Sequence, residues 1–217
     1  MSCSRISYCL ALLVTLVAAK AQAAIVGTYV DATTSNTALN TNIVTIGSEI
    51  DTDNLWYLRT GVGQSDTVLT SQGGLPVGPG EEDSPMLTTT VTGLAAGTYN
   101  VYVLYETFTG RPWNVRAAIS GNSLVTYDEF NGVDTGISFQ SGAIILRQAL
   151  LGSVVSAGTI AVDIDDAGLM GSFDPENLQD ARSWYDGISY QLVPEPSSLT
   201  LALYGLGVCA LARRRRG

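Results

Sequence analysis

The sequence contains no histidine, and its only cysteines, Cys3, Cys9 and Cys209, stand near the two ends. Lysine occurs once, as Lys20. These absences exclude much chemistry. Ser-His-Asp and Cys-His sites have no imidazole to act as base. Zinc sites built from histidine and cysteine have no ligands. The middle of the chain cannot be stapled by a disulfide, so ordinary packing or a bound metal must stabilise it. No glycine-rich loop has phosphate-binding form.

Basic charge is scarce where it would matter most. The whole chain carries −9, yet all 20 acidic residues lie between Asp31 and Glu195. Only Arg59, Arg111, Arg116, Arg147 and Arg182 lie among them, which leaves that stretch near −15. A domain so acidic repels nucleic acid and anionic head groups. It suits divalent cations or basic partners, or simply solubility in a salty medium.

The remaining basic residues are placed at the ends. The start reads MSCSRISYCLALLVTLVAAKAQAA. Arg5 precedes an apolar run from Tyr8 to Ala19, and Ala21-Gln22-Ala23 forms an A-x-A cleavage site. That order predicts a secretory signal peptide over residues 1–23. The end reads VPEPSSLTLALYGLGVCALARRRRG. Residues 197–212 carry no charge and as a helix would span about 24 Å, slightly less than a hydrocarbon core. Arg213, Arg214, Arg215 and Arg216 would then resist translocation and act as a membrane stop.

Val193-Pro194-Glu195-Pro196, an apolar helix and a terminal arginine cluster resemble the PEP-CTERM sorting signal of bacterial exported proteins. The resemblance covers residues 193–217. It implies a Gram-negative-type envelope, export by the Sec translocon and an inner-membrane precursor. It also implies that an exosortase recognises Pro194, Glu195 and Pro196, cleaves nearby, and passes the domain to the cell surface or an exopolysaccharide matrix. It says nothing of the domain between the two ends.

That domain, residues 24–192, reads as β throughout. Apolar, β-branched and aromatic runs recur between Gly, Asn, Asp and Ser clusters. They fall at 25–30, 42–46, 55–60, 86–94, 98–108, 113–119, 123–127, 143–152, 159–165 and 184–193. Residues 143–151 could be a short helix but serve equally as a buried strand. In TIAVDID, Ile160, Val162 and Ile164 share one face, as in a half-buried strand. In TYNVYVLYETF, Tyr99, Val101, Val103 and Tyr105 line one face, while Tyr102 and Leu104 make the other apolar too. That strand should be central, with its outer face covered or used. Trp184, Ile188, Tyr190 and Leu192 share a face interrupted by Asp186. About ten short strands predict an all-β, two-sheet antiparallel sandwich of jelly-roll type, similar to galactose-binding-like domains.

Three kinds of site remain open. Trp56, Tyr57, Tyr102, Arg111 and Trp113 are candidates for stacking on and hydrogen-bonding a glycan, with Trp113 expected to be the most exposed and Trp184 in the core. Asp163, Asp165, Asp166 and Asp174 are the best candidates for structural calcium, a hard ion that takes six to eight oxygens. Their D-x-D-x-x-G start lacks a ligand at Ala167, so this is no EF-hand. An Asp/Glu pair could support glycoside hydrolysis if two carboxyls faced each other across a cleft. The expectation is a non-catalytic surface or matrix protein that binds glycan or mediates adhesion. The alternatives are a purely structural surface protein and a glycoside hydrolase.

Overall fold

A computed structural model describes residues 24–39, 42–43, 55–71, 84–111, 113–166 and 182–194. The signal peptide, Glu195, Pro196, the apolar run, the arginine cluster and Asp174 lie outside the described residues. Among the described residues there are thirteen strands and one short 3-10 turn, Gln140–Gly142. No helix among them is long and apolar enough to cross a membrane.

The strands are β1 Thr28–Asp31, β2 Thr37–Leu39, β3 Asn42–Ile43, β4 Tyr57–Thr60, β5 Thr67–Ser71, β6 Leu87–Thr92 and β7 Gly97–Phe108. They continue as β8 Val115–Ile119, β9 Val125–Tyr127, β10 Val133–Phe139, β11 Ile144–Ser156, β12 Thr159–Asp165 and β13 Ser183–Leu192. One sheet has the order β10-β11-β7-β13-β5-β4, with β1 also paired to β13; the other runs β3-β2-β6-β12-β8-β9. Every pairing is antiparallel. The predicted all-β sandwich is what the chain forms.

The main core lies between the sheets and follows the alternation in the sequence. Tyr99, Val101, Val103 and Tyr105 of β7 face Ile160, Val162 and Ile164 of β12 and Val115, Ala117 and Ile119 of β8 in one buried cluster. Burying one such aliphatic side chain contributes about 1.5–3 kcal/mol. Of residues 143–151, open to two readings in the sequence, all but Ala143 belong to the long strand β11, which runs beside β7 from Ile144 to Ser156.

The outer face of the larger sheet is covered in part. Val62, Val68, Trp113, Ile144 and Trp184 form a second buried cluster, with Phe108 and Phe139 against it. The expected face of β13 is broken by a bulge. Tyr185 pairs with Tyr105 but Gly187 pairs with Leu104, so Asp186 is the extra residue. A bulge of one residue reverses the side-chain parity beyond it. Tyr185 and Ile188 therefore both enter the main core, while Trp184 joins the outer cluster. Trp184 is buried as expected, but on the other side of the sheet from Ile188.

Candidate functional site

The outer cluster surrounds a pocket of about 170 Å³. Four strands and three connections build it. Arg59 comes from β4, Phe108 from the end of β7, Ile144 from β11 and Trp184 from β13. Arg111 and Trp113 come from the connection after β7, Gln140 from the 3-10 turn, and Arg182 from the residue before β13. Antiparallel pairing explains the convergence. Ile144 is the register partner of Phe108, and the same face of the sheet carries both. The β7–β8 connection is tied down by the Asn114 N–H donating to the Arg182 carbonyl at 3.2 Å and by Ser183 Oγ donating to the Asn114 carbonyl at 2.7 Å.

Aromatic rings form much of the wall. Trp113 and Trp184 have ring centroids 4.6 Å apart, and Phe108 lies 5.5 Å from Trp113. Two guanidinium groups lie over rings of the same pocket. Arg59 Cζ is 4.8 Å from the Trp184 centroid, and Arg111 Cζ is 4.7 Å from that of Phe108. Such stacking restricts a long side chain and presents its donors in a fixed plane. The indole N–H groups of Trp113 and Trp184 are buried and have no acceptor among the described residues. An indole nitrogen can only donate, so both donors are left unsatisfied among the described residues. No aspartate or glutamate among the described residues lines the pocket.

Two carboxyls lie beside it, inside the protein. Glu106, two residues before Phe108, is 1% exposed, and Asp186, two residues after Trp184, is fully buried. Asp186 Oδ1 accepts the Gln64 N–H at 2.8 Å. Both oxygens of Glu106 and the other oxygen of Asp186 accept no hydrogen bond among the described residues. Burial, reinforced by the charge of Asp186, pushes Glu106 up to about 8; the Gly63 backbone N–H and Arg59 oppose this more weakly. The Gly63 N–H does so without reaching hydrogen-bond geometry. Burial likewise pushes Asp186 up to about 7, against the Gln64 N–H. Sequence reading missed both groups because nothing in their spacing marks them. The signal available was Asp186 interrupting an apolar face.

The residues singled out from sequence are dispersed. Trp56 is fully buried in the main core, with Nε1 donating to the Pro85 carbonyl at 2.8 Å. Tyr57 is 5% exposed. Neither offers an open ring face: Trp56 fills the main core, and Tyr57 is buried where it stands on β4. Tyr102 is half-buried on β7 and does not line the pocket. Arg111 and Trp113 do line it. Trp113 is the most exposed of the three tryptophans, but only 4% exposed, because it packs on Trp184 rather than standing out from its loop. Arg182, Arg59, Phe108 and Gln140 are lining residues that sequence did not single out.

The acidic stretch at the end of β12 is spoken for within the sandwich. Asp163 Oδ1 accepts from Thr88 Oγ1 at 2.8 Å and Ser120 Oγ at 2.7 Å. Asp165 pairs with Arg116. Asp166 is fully buried and accepts the Ser84 N–H at 2.9 Å and Ser71 Oγ at 3.2 Å. No group of three or more carboxylates among the described residues is arranged to hold a metal ion.

The fold thus defines an all-β sandwich with a basic, aromatic pocket on the outer face of its larger sheet. At its C-terminal edge the chain carries the PEP-CTERM protein-sorting motif, matched over residues 192–216. That motif marks an exported protein handled by an exosortase. It begins where the sandwich ends: β13 closes at Leu192, and the Val193 N–H donates to the Thr98 carbonyl at 2.8 Å. No curated protein matches the chain by sequence. Solved structures with a similar fold include an exo-beta-1,3-galactanase from Phanerochaete chrysosporium crystallised with beta-1,3-galactotriose (12% identity, TM-score 0.39, 69% of this chain and 30% of that one). Others are a Podospora anserina GH26-CBM35 beta-(1,4)-mannanase (11%, TM-score 0.34, 78% and 27%) and a family 35 carbohydrate binding module from an environmental isolate (9%, TM-score 0.31, 78% and 95%). The chain spans less than a third of the length of the first two.

Proposed function

We propose that this is a non-catalytic glycan-binding protein of the bacterial surface. A signal peptide at 1–23 directs it through the Sec translocon, and residues 197–216 hold the precursor in the inner membrane. An exosortase then acts at Pro194-Glu195-Pro196 and releases the sandwich to the cell surface or exopolysaccharide matrix of a Gram-negative-type cell.

The lining of the outer-face pocket carries the glycan reading. Sugar rings stack on aromatic faces while their hydroxyls hydrogen-bond to flanking donors and acceptors, and this wall supplies both. Hydrolysis is disfavoured by the placement of acids. Two carboxyls must flank a glycosidic bond in retaining or inverting enzymes. The buried pair Glu106 and Asp186 presents no surface to a substrate.

A glycan array probed with the purified full chain in detergent tests the reading. Binding is expected, and it should fail for Phe108→Ala and Arg182→Gln while Arg116→Gln binds normally. Absence of binding across the array at high protein concentration would leave the purely structural surface role. Release of reducing ends from any bound glycan would reinstate the hydrolase.

A further inference from the structure

We infer that the end of the sandwich from which the sorting tail leaves is seated on the lipid headgroups of the membrane that holds the precursor. The inference rests on the reading of residues 197–212 as a membrane span and adds a contact surface on the folded domain. Three turns and the end of β13 meet there. Residues 93–96 join β6 to β7, residues 157–158 join β11 to β12, and residues 120–124 join β8 to β9. The Leu94 N–H donates to the Gly158 carbonyl at 3.1 Å, which ties the first two turns together. The Ser120 N–H donates to the Ala161 carbonyl at 3.0 Å, which brings the third beside them. Leu192 pairs with Tyr99, two residues into β7.

These segments carry no charge. Residues 84–105, 117–127, 148–162 and 187–194, which hold the three turns and the end of β13, contain no aspartate, glutamate, lysine or arginine. The rest of the exported stretch is acidic. At the opposite end of the strands, Arg116 stands near the start of β8, Asp165 and Asp166 at the end of β12, and Arg182 just before β13. The charge-free end also shows apolar groups to its surroundings. Ala95, Ala96 and Ala157 are exposed, Val155 is 81% exposed and Leu192 is 51% exposed. Exposed apolar side chains gathered in one place mark a contact surface. A lipid surface fits, because an acidic domain is repelled by anionic headgroups unless it approaches with a face that brings them no carboxylate.

The tether selects lipid as the occupant. The Val193 N–H is fixed to the Thr98 carbonyl at 2.8 Å. Only Pro194, Glu195 and Pro196 separate Val193 from the uncharged run that begins at Ser197. Four residue steps reach at most about 14 Å. The headgroup layer takes about 5–8 Å of that. As a helix, residues 197–212 span about 24 Å against a hydrocarbon core of about 30 Å, so the run draws its own start inward. Little slack remains to lift the domain from the surface. The same seating turns the glycan pocket outward. Phe108 ends the 12-residue strand β7, about 36 Å along it from Gly97.

The test uses the exported chain, freed of residues 1–23 and carrying Cys209→Ser, in phosphatidylcholine vesicles doped with a headgroup nitroxide lipid. A bimane label is placed at Val155→Cys, Ala95→Cys or Thr109→Cys, the last being exposed at the opposite end. Labels at 155 and 95 should be quenched severalfold more than the label at 109. Ala157→Glu should weaken the quenching at 155 without changing the circular dichroism, and more so when phosphatidylglycerol is added. Equal quenching at the two ends, in a chain that floats with the vesicles, would overturn the seating and leave the span reading standing. A chain that does not float would remove both. A label at 155 shielded from aqueous iodide yet not quenched by the nitroxide would put a protein over this end, a second copy included, and overturn the inference. Quenching unchanged in Ala157→Glu would mean that the tether alone brings this end close, and would overturn it as a contact surface.

Discussion

Glu106 of β7 and Asp186 of β13 are buried on one face of neighbouring central strands, and three of their four carboxyl oxygens accept no hydrogen bond among the described residues. Two such groups cannot both be charged without a large desolvation cost. Their folded values, about 8 and about 7, lie above the ordinary 4.5 and 3.8. The native state therefore keeps protons that the unfolded chain has released, and stability falls as pH rises between about 4 and 8. This contribution is complete below the unfolded values and gone above the folded ones. The melting temperature should fall from pH 5 to pH 9. Glu106→Gln should flatten that slope and melt higher than the parent at pH 9. A parallel slope in the variant would mean that other groups set the trend.

The connection that covers this pair depends on Gly63. Its φ is +87°, in the left-handed region that favours glycine. A Cβ there would stand 2.2 Å from the Thr67 carbonyl oxygen and 2.6 Å from Asp186 Oδ1. Backbone cannot yield to such a contact as a flexible side chain can. Gly63→Ala should destabilise by roughly 2–3 kcal/mol, combining conformational strain with overpacking. Gly61→Ala, where φ is +80° but no atom lies within 4 Å, should cost about 1 kcal/mol. Urea denaturation of both variants separates clash from conformation.

The sandwich was legible because β12 alternates cleanly and β7 and β8 carry apolar residues on the core face, with Val101, Val115 and Val162 there. Three elements were not. Strand β2, TAL, is too short for a period to show. Strand β5, TVLTS, follows Gly61-Val62-Gly63-Gln64 and carries buried threonine and serine where an apolar residue is expected. Strand β10, VDTGISF, has only Thr135 buried and contains Gly136 at positive φ, so it reads as a turn. The pocket was half legible. Arg111 and Trp113 are close in sequence, but Arg59 and Arg182 join them only through the pairing of β4, β5 and β13. The bulge at Asp186 decides which face Trp184 takes, and no residue pattern announces it.

Strand β13 pairs with β7, β5 and β1, whereas the sorting motif starts at its final residue. Removal of the tail should therefore leave the fold untouched. A chain ending after Pro194 should melt at the same temperature as the full chain in the same detergent. A chain ending after Tyr185 loses Ile188 and the pairing of β1, and should not fold. A drop in the first case would mean that the tail packs on the sandwich.

Calcium at Asp163, Asp165 and Asp166 would have to compete with existing partners. Thr88, Ser120, Arg116 and the Ser84 N–H already occupy these carboxylates. A ligand that binds only the native state raises the melting temperature in proportion to its affinity. The melting curves with calcium and with chelator should superimpose. A shift on adding calcium that disappears in Asp165→Ala would instead place an ion there.

Trp113 and Trp184 combine structural and binding roles, and truncation should separate them from Trp56. Trp56→Ala empties a fully buried core position remote from the pocket and should cost about 3–5 kcal/mol. Trp113→Ala removes a ring from the outer cluster and one wall of the pocket. Its stability cost should be smaller, about 2–3 kcal/mol, because the pocket side of that cluster is open to water. The binding effects should be reversed. Measured well below the melting temperature of each variant, Trp56→Ala should retain parental glycan affinity. Trp113→Ala should lose it, since Arg111 and Phe108 would then face an open groove. Equal loss of affinity in both would mean that the ligand sits elsewhere on the sandwich.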